Sequence, residues 1–449
     1  MKTVIMAGGR GTRISELYPD IPKPLIPIKN SDGVEKPVLE WEIESLASQG
    51  FTDIILTVSH MHEKIEEYFA DGSKWGCEIS YFIEETPLGN AGALFKLGLT
   101  EPFPLLNADA VFDVDFKRMV SFHQAHDSLV TLFTHPNSHP YDSGLIIAED
   151  DKNVSAWLTK EDSRPEWYKN RVNAGLHVID PTVLDMTIQR IGLDPKKIGT
   201  EGTDGRVIKV DLDRQILKPL CGTGKMFAYD SPEYVKDMGT PERFYSVSRD
   251  FQNGVVKAKN LSHPQCAIFL DRDGTINKYV GFLRKIEDFE LLPGVSDAIH
   301  LINSSGYLAI VCTNQPVIAR GEVTISQLQT IHNKMETELG KAGAYIDALY
   351  YCPHHPDSGF PGEVKELKIE CDCRKPKPGM LIQAAQDFNI DLEKSWMIDD
   401  GENDVKAGKN AGCHTVLIGE GEFGEEIKGE SLLECVKKII AIGFEEQSV

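Results

Sequence analysis

No run of 18 or more apolar residues occurs in this 449-residue chain, so no segment reads as a transmembrane helix. A basic face is also missing. Acidic residues outnumber basic ones 69 to 47, the formal charge is −22, and no Lys/Arg cluster of the kind nucleic acid demands is present. Small anionic substrates stay open, because local cations or a divalent metal override the global field. Cysteine is scarce. Nine thiols are far from disulfide density, and Cys77, Cys221, Cys266 and Cys435 fall outside any pattern and read as buried thiols. That usage fits the bacterial-type cytosol or another reducing compartment. The N-terminus, Met1 to Gly9, breaks into glycine too soon for a secretory signal and reads as the first strand of a folded domain. Internal repeats and low-complexity tracts are lacking too.

An apolar fraction of 41% over this length suits ordinary cores and two domains or three. Strand-like runs at 3–7, 53–58, 105–109, 129–134 and 172–179 alternate with helical stretches such as 39–49. The pattern weakens between Phe244 and Gln265, where Asn253-Gly254 marks a turn. A second series follows, with strands expected at 266–270, 307–313, 348–351, 395–399 and 414–418, helices at 325–339 and 380–388, and an acidic, then amphipathic tail. Such alternation predicts an α/β class built on mainly parallel sheets. The expected division is a domain at 1–245, a linker at 246–264 and a domain at 265–449.

The second series opens on Asp271-Arg272-Asp273-Gly274-Thr275. A strand that delivers two carboxylates one residue apart into a glycine turn suits phosphoryl transfer: one Asp attacks phosphorus and the other protonates the leaving oxygen. A calcium loop would need a Glu at the twelfth position, and that position is Phe282. Further on, Cys352-Pro353-His354-His355 and Cys371-Asp372-Cys373 form two close pairs of metal-ligand type around a loop poor in core residues. Three Cys and one His close a tetrahedral structural zinc site.

The first series carries a different phosphate signature. Gly8, Gly9, Gly11 and Thr12 follow a strand directly, and glycines let backbone N–H groups approach phosphate oxygens. Arg13 adds a bidentate donor. Lys23, fixed between Pro22 and Pro24, can neutralise charge on an α-phosphate under attack. Asp109 and Asp237, at two strand ends, can share one Mg²⁺. The loop is neither a P-loop nor the dinucleotide fingerprint.

Together these pieces resemble the sugar-1-phosphate nucleotidyltransferases over roughly residues 1–245. The resemblance also takes in Pro87-Leu88-Gly89, Lys160, Asn173-Ala174-Gly175 and, at Asn107-Ala108-Asp109, a variant of the family's usual Asn-Gly-Asp. It implies a GT-A-like, Rossmann-like fold in which a sugar phosphate attacks the α-phosphorus of an NTP and pyrophosphate leaves. It further implies Gly89 at the nucleotide, Lys160 at the sugar phosphate, and Asn173 and Gly175 at sugar hydroxyls. Glu84 or Glu85 lies where such enzymes contact the base. An ionised acid accepts the N1–H and N2–H₂ donors of guanine, so the expected nucleotide is GTP.

The later motifs, Thr313-Asn314-Gln315, Arg374-Lys375 and Asp399-Asp400 to Asp404, resemble the haloacid dehalogenase superfamily. By that resemblance Asp271 is the nucleophile and Asp273 the acid and base. Thr313 and Lys375 stabilise the phosphoryl oxygens, and Mg²⁺ sits on Asp271, Asp273 and Asp400, with Asp404 in support. Asp399 stands where a Gly is common, which leaves the choice of metal acid between Asp399 and Asp400 open. With Ile318-Ala319-Arg320-Gly321 and the zinc set, residues 266–420 resemble the heptose 1,7-bisphosphate 7-phosphatases. That resemblance implies substrate contacts from Asn314, Arg320 and Arg374, and selects His354 as the zinc ligand. Pro316-Val317 departs from the small residues usual there.

The two resemblances imply consecutive steps: removal of the 7-phosphate from a heptose 1,7-bisphosphate, then guanylyl transfer to the α-heptose 1-phosphate. The expected cofactors are Mg²⁺ and Zn²⁺. Expected partners are GTP and heptose phosphates, not nucleic acid or membrane, with self-association left open. The alternatives are a mannose-1-phosphate guanylyltransferase fused to a histidinol-phosphate-type phosphatase, and a sugar-nucleotide sensor or scaffold with idle sites. A pure binder has no need of Asp271 plus Asp273.

Overall fold

The computed structural model describes residues 1–9, 13–14, 16–108, 110–202 and 205–446. The chain divides into two compact units. One holds Met1–His135, Gly144–Thr159 and Asn173–Lys257, and the other Pro136–Ser143, Lys160–Val172 and Ala258–Val449. Among the described residues no helix is long and apolar enough to cross a membrane.

The first unit is built on a nine-stranded sheet. Its central strand, Lys2–Met6, is flanked in parallel by Asp53–Val58 and Phe103–Asn107, and Glu78–Ile83 adds a further parallel strand. Successive residues of these strands point to opposite faces. Ile5, Ile54, Leu56 and Leu106 join one core, with Leu39, Ile43 and Leu46 of the helix Val38–Ser48. Val4, Ile55 and Leu105 join another on the opposite face. Coverage on both sides is why the strands read as unbroken apolar runs.

The expectation of a mainly parallel sheet holds at this centre and for Met226–Asp230 beside Val130–His135, but not throughout. Val172–Ile179 runs antiparallel to Phe103–Asn107, and Leu145–Ala148 pairs antiparallel with Val154–Leu158. The latter two are joined by the short polar turn Glu149–Asn153, which is too short for the crossover a parallel pair requires.

The second unit carries six parallel strands in the order Ala348–Cys352, Tyr307–Asn314, Cys266–Leu270, Trp396–Asp399, His414–Ile418, Ile427–Gly429. Ile268 and Leu270 face one core while Ala267 and Phe269 face the other. Cys266–Leu270 is therefore a central strand, and the residues just beyond its carboxyl end open into the crevice where parallel sheets bind ligands. The helix Ile325–Lys341 is started by a reciprocal cap, in which Thr324 and Gln327 satisfy each other's backbone N–H groups. Tyr168 and Asn170, from one of the short early segments of this unit, dock on it. The Tyr168 N–H donates to Thr337 at 2.9 Å and the Asn170 N–H to Glu336 at 2.9 Å.

The tail resolves into the strand Ile427–Gly429 and the helix Leu432–Glu446, whose Leu432, Cys435, Val436 and Ile439 share one buried face. Of the four thiols expected to be buried, Cys77 and Cys435 are. Cys221 and Cys266 are only half-buried, one in the turn after Lys218–Leu220 and the other at the first position of its strand.

Candidate active sites

In the first unit, the strand Lys2–Met6 empties into a cavity of about 520 Å³. Gly8, Gly9, Arg13, Lys23, Glu84 and Gly89 all line it, so six of the expected residues converge from three separate stretches of chain. Gly11, Thr12 and Asp109 lie outside the described residues. Thr57, Asn90, Asn107 and Gly239 also line it, without having been singled out as contacts.

Gly89 has φ +84°, and a Cβ there would run into the Val210 backbone. The loop is pinned on that residue, since the Val210 N–H donates to Leu88 and the Ala91 N–H to Val210 at 2.9 and 3.1 Å. Glu84 is half-buried, and burial pushes its carboxyl above its ordinary value against a backbone contact at Leu88. Glu85 is exposed.

Asp237, at the end of the strand Tyr234–Asp237, accepts from the Gly239 N–H at 2.5 Å and from Arg243, with the Lys23 ammonium at 3.7 Å. Arg243 was missed because it sits one turn into a helix, Pro241–Gln252, that shows no sequence motif. Asn173 accepts from the Gly175 N–H at 3.3 Å. Gly175, at φ +78°, has its missing Cβ within 2.6 Å of Asn107 Nδ2, which places the pair beside a cavity-lining residue. Lys160 is exposed, is grouped with the second unit, and is not among the lining residues.

A second cavity, of about 420 Å³, lies in the second unit. Asp271, Asp273, Asn314, Arg374, Lys375, Asp399, Asp400 and Asp404 line it together. The turn that follows the two aspartates is tight: the Gly274 N–H donates to the Asn277 carbonyl at 2.8 Å, φ is +97°, and a Cβ would strike the Asp400 carboxylate. Lys375, nearly closed to solvent, donates to Asp271 at 2.6 Å, to the Cys312 carbonyl at 2.8 Å and to Asp404. Burial works against its charge, but Asp271, Asp404 and Asp399 outweigh burial and hold its pKa above the ordinary value.

Asp273 receives Arg272 on both oxygens at 2.9 and 2.7 Å, Gln315 at 2.9 Å and Asn277 at 3.0 Å. Burial would raise its carboxyl, yet these donors, Arg272 first, bring it below the usual value. Asp399 is buried, accepts from Thr275 at 2.9 Å, and is pushed well above the carboxylate range by burial and by Asp404 and Asp271. Asp400 is the more exposed of the two adjacent acids.

Two expected residues stand apart from this cavity. Thr313 is buried beneath Gln315, whose Nε2 donates to it at 2.9 Å, and does not line the space. Alternation along the strand turns Asn314 toward the cavity and Thr313 inward. Arg320 stacks between Phe282 and Phe360, 4.2 and 4.5 Å from the ring centres, and only Phe282 of the three lines the cavity. The residues missed here are Arg272, Asn277 and Gln315. Gln315 and Arg272 stand in their motifs without an assigned role.

Cys352, His354, Cys371 and Cys373 bring their ligand atoms within 4.8 Å of one another. Sulfur–sulfur separations are 3.2 to 3.5 Å, and His354 Nδ1 lies 3.3 Å from the Cys373 sulfur. His355 points elsewhere, its Nδ1 accepting from the Asp357 N–H at 3.2 Å. The cluster borders the second cavity: the Gln315 N–H donates to the Cys352 carbonyl at 2.8 Å and Arg374 to the His354 carbonyl at 3.2 Å.

A family model described as nucleotidyl transferase matches residues 2–254, and one described as HAD-hydrolase-like matches residues 372–433. A D-glycero-beta-D-manno-heptose-1,7-bisphosphate 7-phosphatase from Salmonella typhi is 43% identical over 152 residues, 34% of this chain and 79% of that protein. A D,D-heptose 1,7-bisphosphate phosphatase from B. bronchiseptica, solved with magnesium and phosphate, is 29% identical with a TM-score of 0.35, over 40% of this chain and 99% of that one. HddC from Yersinia pseudotuberculosis, solved with GMP-PN, is 24% identical with a TM-score of 0.42, over 56% of this chain and 99% of that one.

Proposed function

Because the chain belongs to the nucleotidyl transferase family through residues 2–254 and, in its later part, to the heptose-1,7-bisphosphate 7-phosphatases, we propose that one polypeptide performs two consecutive steps of sugar-nucleotide formation. The second unit removes the 7-phosphate of D-glycero-D-manno-heptose 1,7-bisphosphate. The first then joins the heptose 1-phosphate to GTP, giving GDP-heptose and pyrophosphate.

The observation that carries this reading is the presence in one chain of two such cavities. One holds glycines 8 and 9, Arg13, Lys23 and Glu84, and the other holds Asp271, Asp273 and Lys375. A transferase needs the 1-phosphate kept, so the phosphatase must act on the distal one.

In the phosphatase, an Asp271 oxygen attacks phosphorus, the bond to the C7 oxygen breaks, and that oxygen takes a proton from Asp273. Water then attacks the aspartyl-phosphate, gives its proton to Asp273, and phosphate leaves. Lys375 lies against Asp271 and steadies charge on the phosphoryl oxygens, while Asn314 and Arg374 hold substrate. Six carboxylates line this cavity, Glu402 beside the five aspartates, against the lining cations Lys375 and Arg374, and burial lifts Asp399 and Asp400, a surplus of acceptor oxygens that fits a divalent cation. Asp271 and Asp400 would hold Mg²⁺, which would neutralise the phosphate, while Asp273, its oxygens met by Arg272, Gln315 and Asn277, is kept for proton exchange. The Cys₃His cluster would hold a structural Zn²⁺.

In the transferase, an oxygen of the sugar 1-phosphate attacks the α-phosphorus of GTP. Arg13 and Lys23 meet the phosphates. Glu84, whose burial penalises its charge, recovers that cost from the paired donors of guanine. Asp109 and Asp237 would hold Mg²⁺, with Lys23 and Arg243 freed from Asp237 toward the phosphates. Asn173 and Gly175 remain the sugar contacts of this reading.

The test is to mix enzyme, Mg²⁺, GTP and the bisphosphate, as α and β anomers separately, and to look for GDP-heptose by mass. The α anomer is expected to be taken through both steps, although the phosphatase relatives are named for the β form. Failure to form a sugar nucleotide with any NTP sinks the transferase claim. Asp271→Asn is expected to stop phosphate release and to spare transfer onto supplied heptose 1-phosphate.

A further inference from the structure

Arg272 lies between the two aspartates of the phosphoryl-transfer motif, yet its side chain is 0% exposed and among the largest fully buried ones in the chain. A guanidinium in that position is costly unless its N–H groups are met. Here one terminal nitrogen serves both Asp273 oxygens and the Gln315 Oε1, the last at 3.1 Å, and Nε reaches Asp273 at 3.3 Å. The other terminal nitrogen lies 3.0 Å from His332 Nε2. Arginine can only donate, so His332 accepts on Nε2. Burial and Arg272 both hold the imidazole neutral. The helix that carries His332 already has its cap and a buried face of Ile331, Met335 and Leu339, so it does not depend on this contact to form.

We propose that Arg272, backed by His332 and Gln315, is a positioning residue that fixes the Asp273 carboxyl for proton exchange with the departing sugar oxygen. The inference rests on the phosphatase reading above. When Asp271 bonds to phosphorus and the phosphorus–oxygen bond breaks, a sugar alkoxide needs the proton of Asp273. A p-nitrophenolate leaves as a stable anion and needs none. Disturbing the Asp273 position therefore penalises the sugar substrate selectively, whereas a general loss of structure penalises both.

The experiment compares heptose 1,7-bisphosphate with p-nitrophenyl phosphate in the full chain. Arg272→Lys keeps the charge and loses the fork. It is expected to lower turnover of the bisphosphate on the order of 100-fold, with a loss on p-nitrophenyl phosphate about tenfold smaller. Zinc content and thermal unfolding report whether the second unit is folded. Should Arg272→Lys not fold, His332→Leu, which removes the acceptor behind Arg272, carries the same comparison, and His332→Gln restores the ratio. Equal losses on both substrates overturn the inference while leaving the phosphatase reading intact. A wild-type chain that hydrolyses neither substrate overturns both.

Discussion

The Lys375 ammonium stands 2.6 Å from an Asp271 oxygen and also touches Asp404, from a side chain only 2% exposed. A cation so enclosed is held by the acids around it. Removing it leaves Asp271 and Asp404 facing each other without a counter-charge, and breaking a buried pair in this way costs about 3–5 kcal/mol. Lys375→Met should therefore abolish phosphate release and also lower the unfolding midpoint of the second unit. A variant with normal melting and normal phosphate release would exclude the proposed role.

Much of this arrangement was legible in the chain. The alternation Ala267, Ile268, Phe269, Leu270 is apolar throughout because both faces of a central parallel strand are covered. Asp271 follows directly, so its place at the crevice came with the strand. The Cys and His spacing likewise announced a cluster, and the turn at Asp357 settles His354 over His355. What stayed hidden depends on contacts distant in sequence. Arg272 becomes meaningful only when His332 and Gln315 are brought to it, and Thr313 loses its place in the cavity through the pleat of its strand. The antiparallel pair Leu145–Ala148 and Val154–Leu158 is two short runs, too brief for period alone to identify.

Base choice turns on Glu84. Its Gln variant keeps the size and one acceptor but sets an amide donor against a donor of guanine. Glu84→Gln is expected to raise the KM for GTP by about 10–100-fold, the cost of a mismatched buried polar contact, and to narrow the preference for GTP over ATP. A nucleotide panel on both proteins reads this. An unchanged preference would move base recognition to another residue.

Zinc should matter to one activity only. The Cys352 and His354 carbonyls anchor Gln315 and Arg374, so loss of the four-ligand cluster loosens the rim of the phosphatase cavity. Cys371→Ser, or a zinc-selective chelator in excess Mg²⁺, is expected to reduce phosphate release and lower the melting of the second unit, with guanylyl transfer kept. Metal analysis showing no zinc in an active protein would refute the assignment.

His177 makes the first unit acid-sensitive. It lies on the strand Val172–Ile179, fully buried, and burial pushes its pKa down to about 4 against a weaker backbone contact at Leu105. The unfolded chain binds a proton near the ordinary histidine value of 6.5, so between that pH and about 4 the unfolded state holds more protons than the native one. Stability contributed by the neutral imidazole is thus complete above pH 6.5 and is lost as pH falls toward 4, by on the order of 3 kcal/mol in all. Unfolding of the first unit, followed by denaturant titration across that window, should show this slope in the wild type. His177→Gln, which does not titrate, should flatten it whatever its effect on absolute stability. An identical slope in the two proteins would place the acid sensitivity elsewhere.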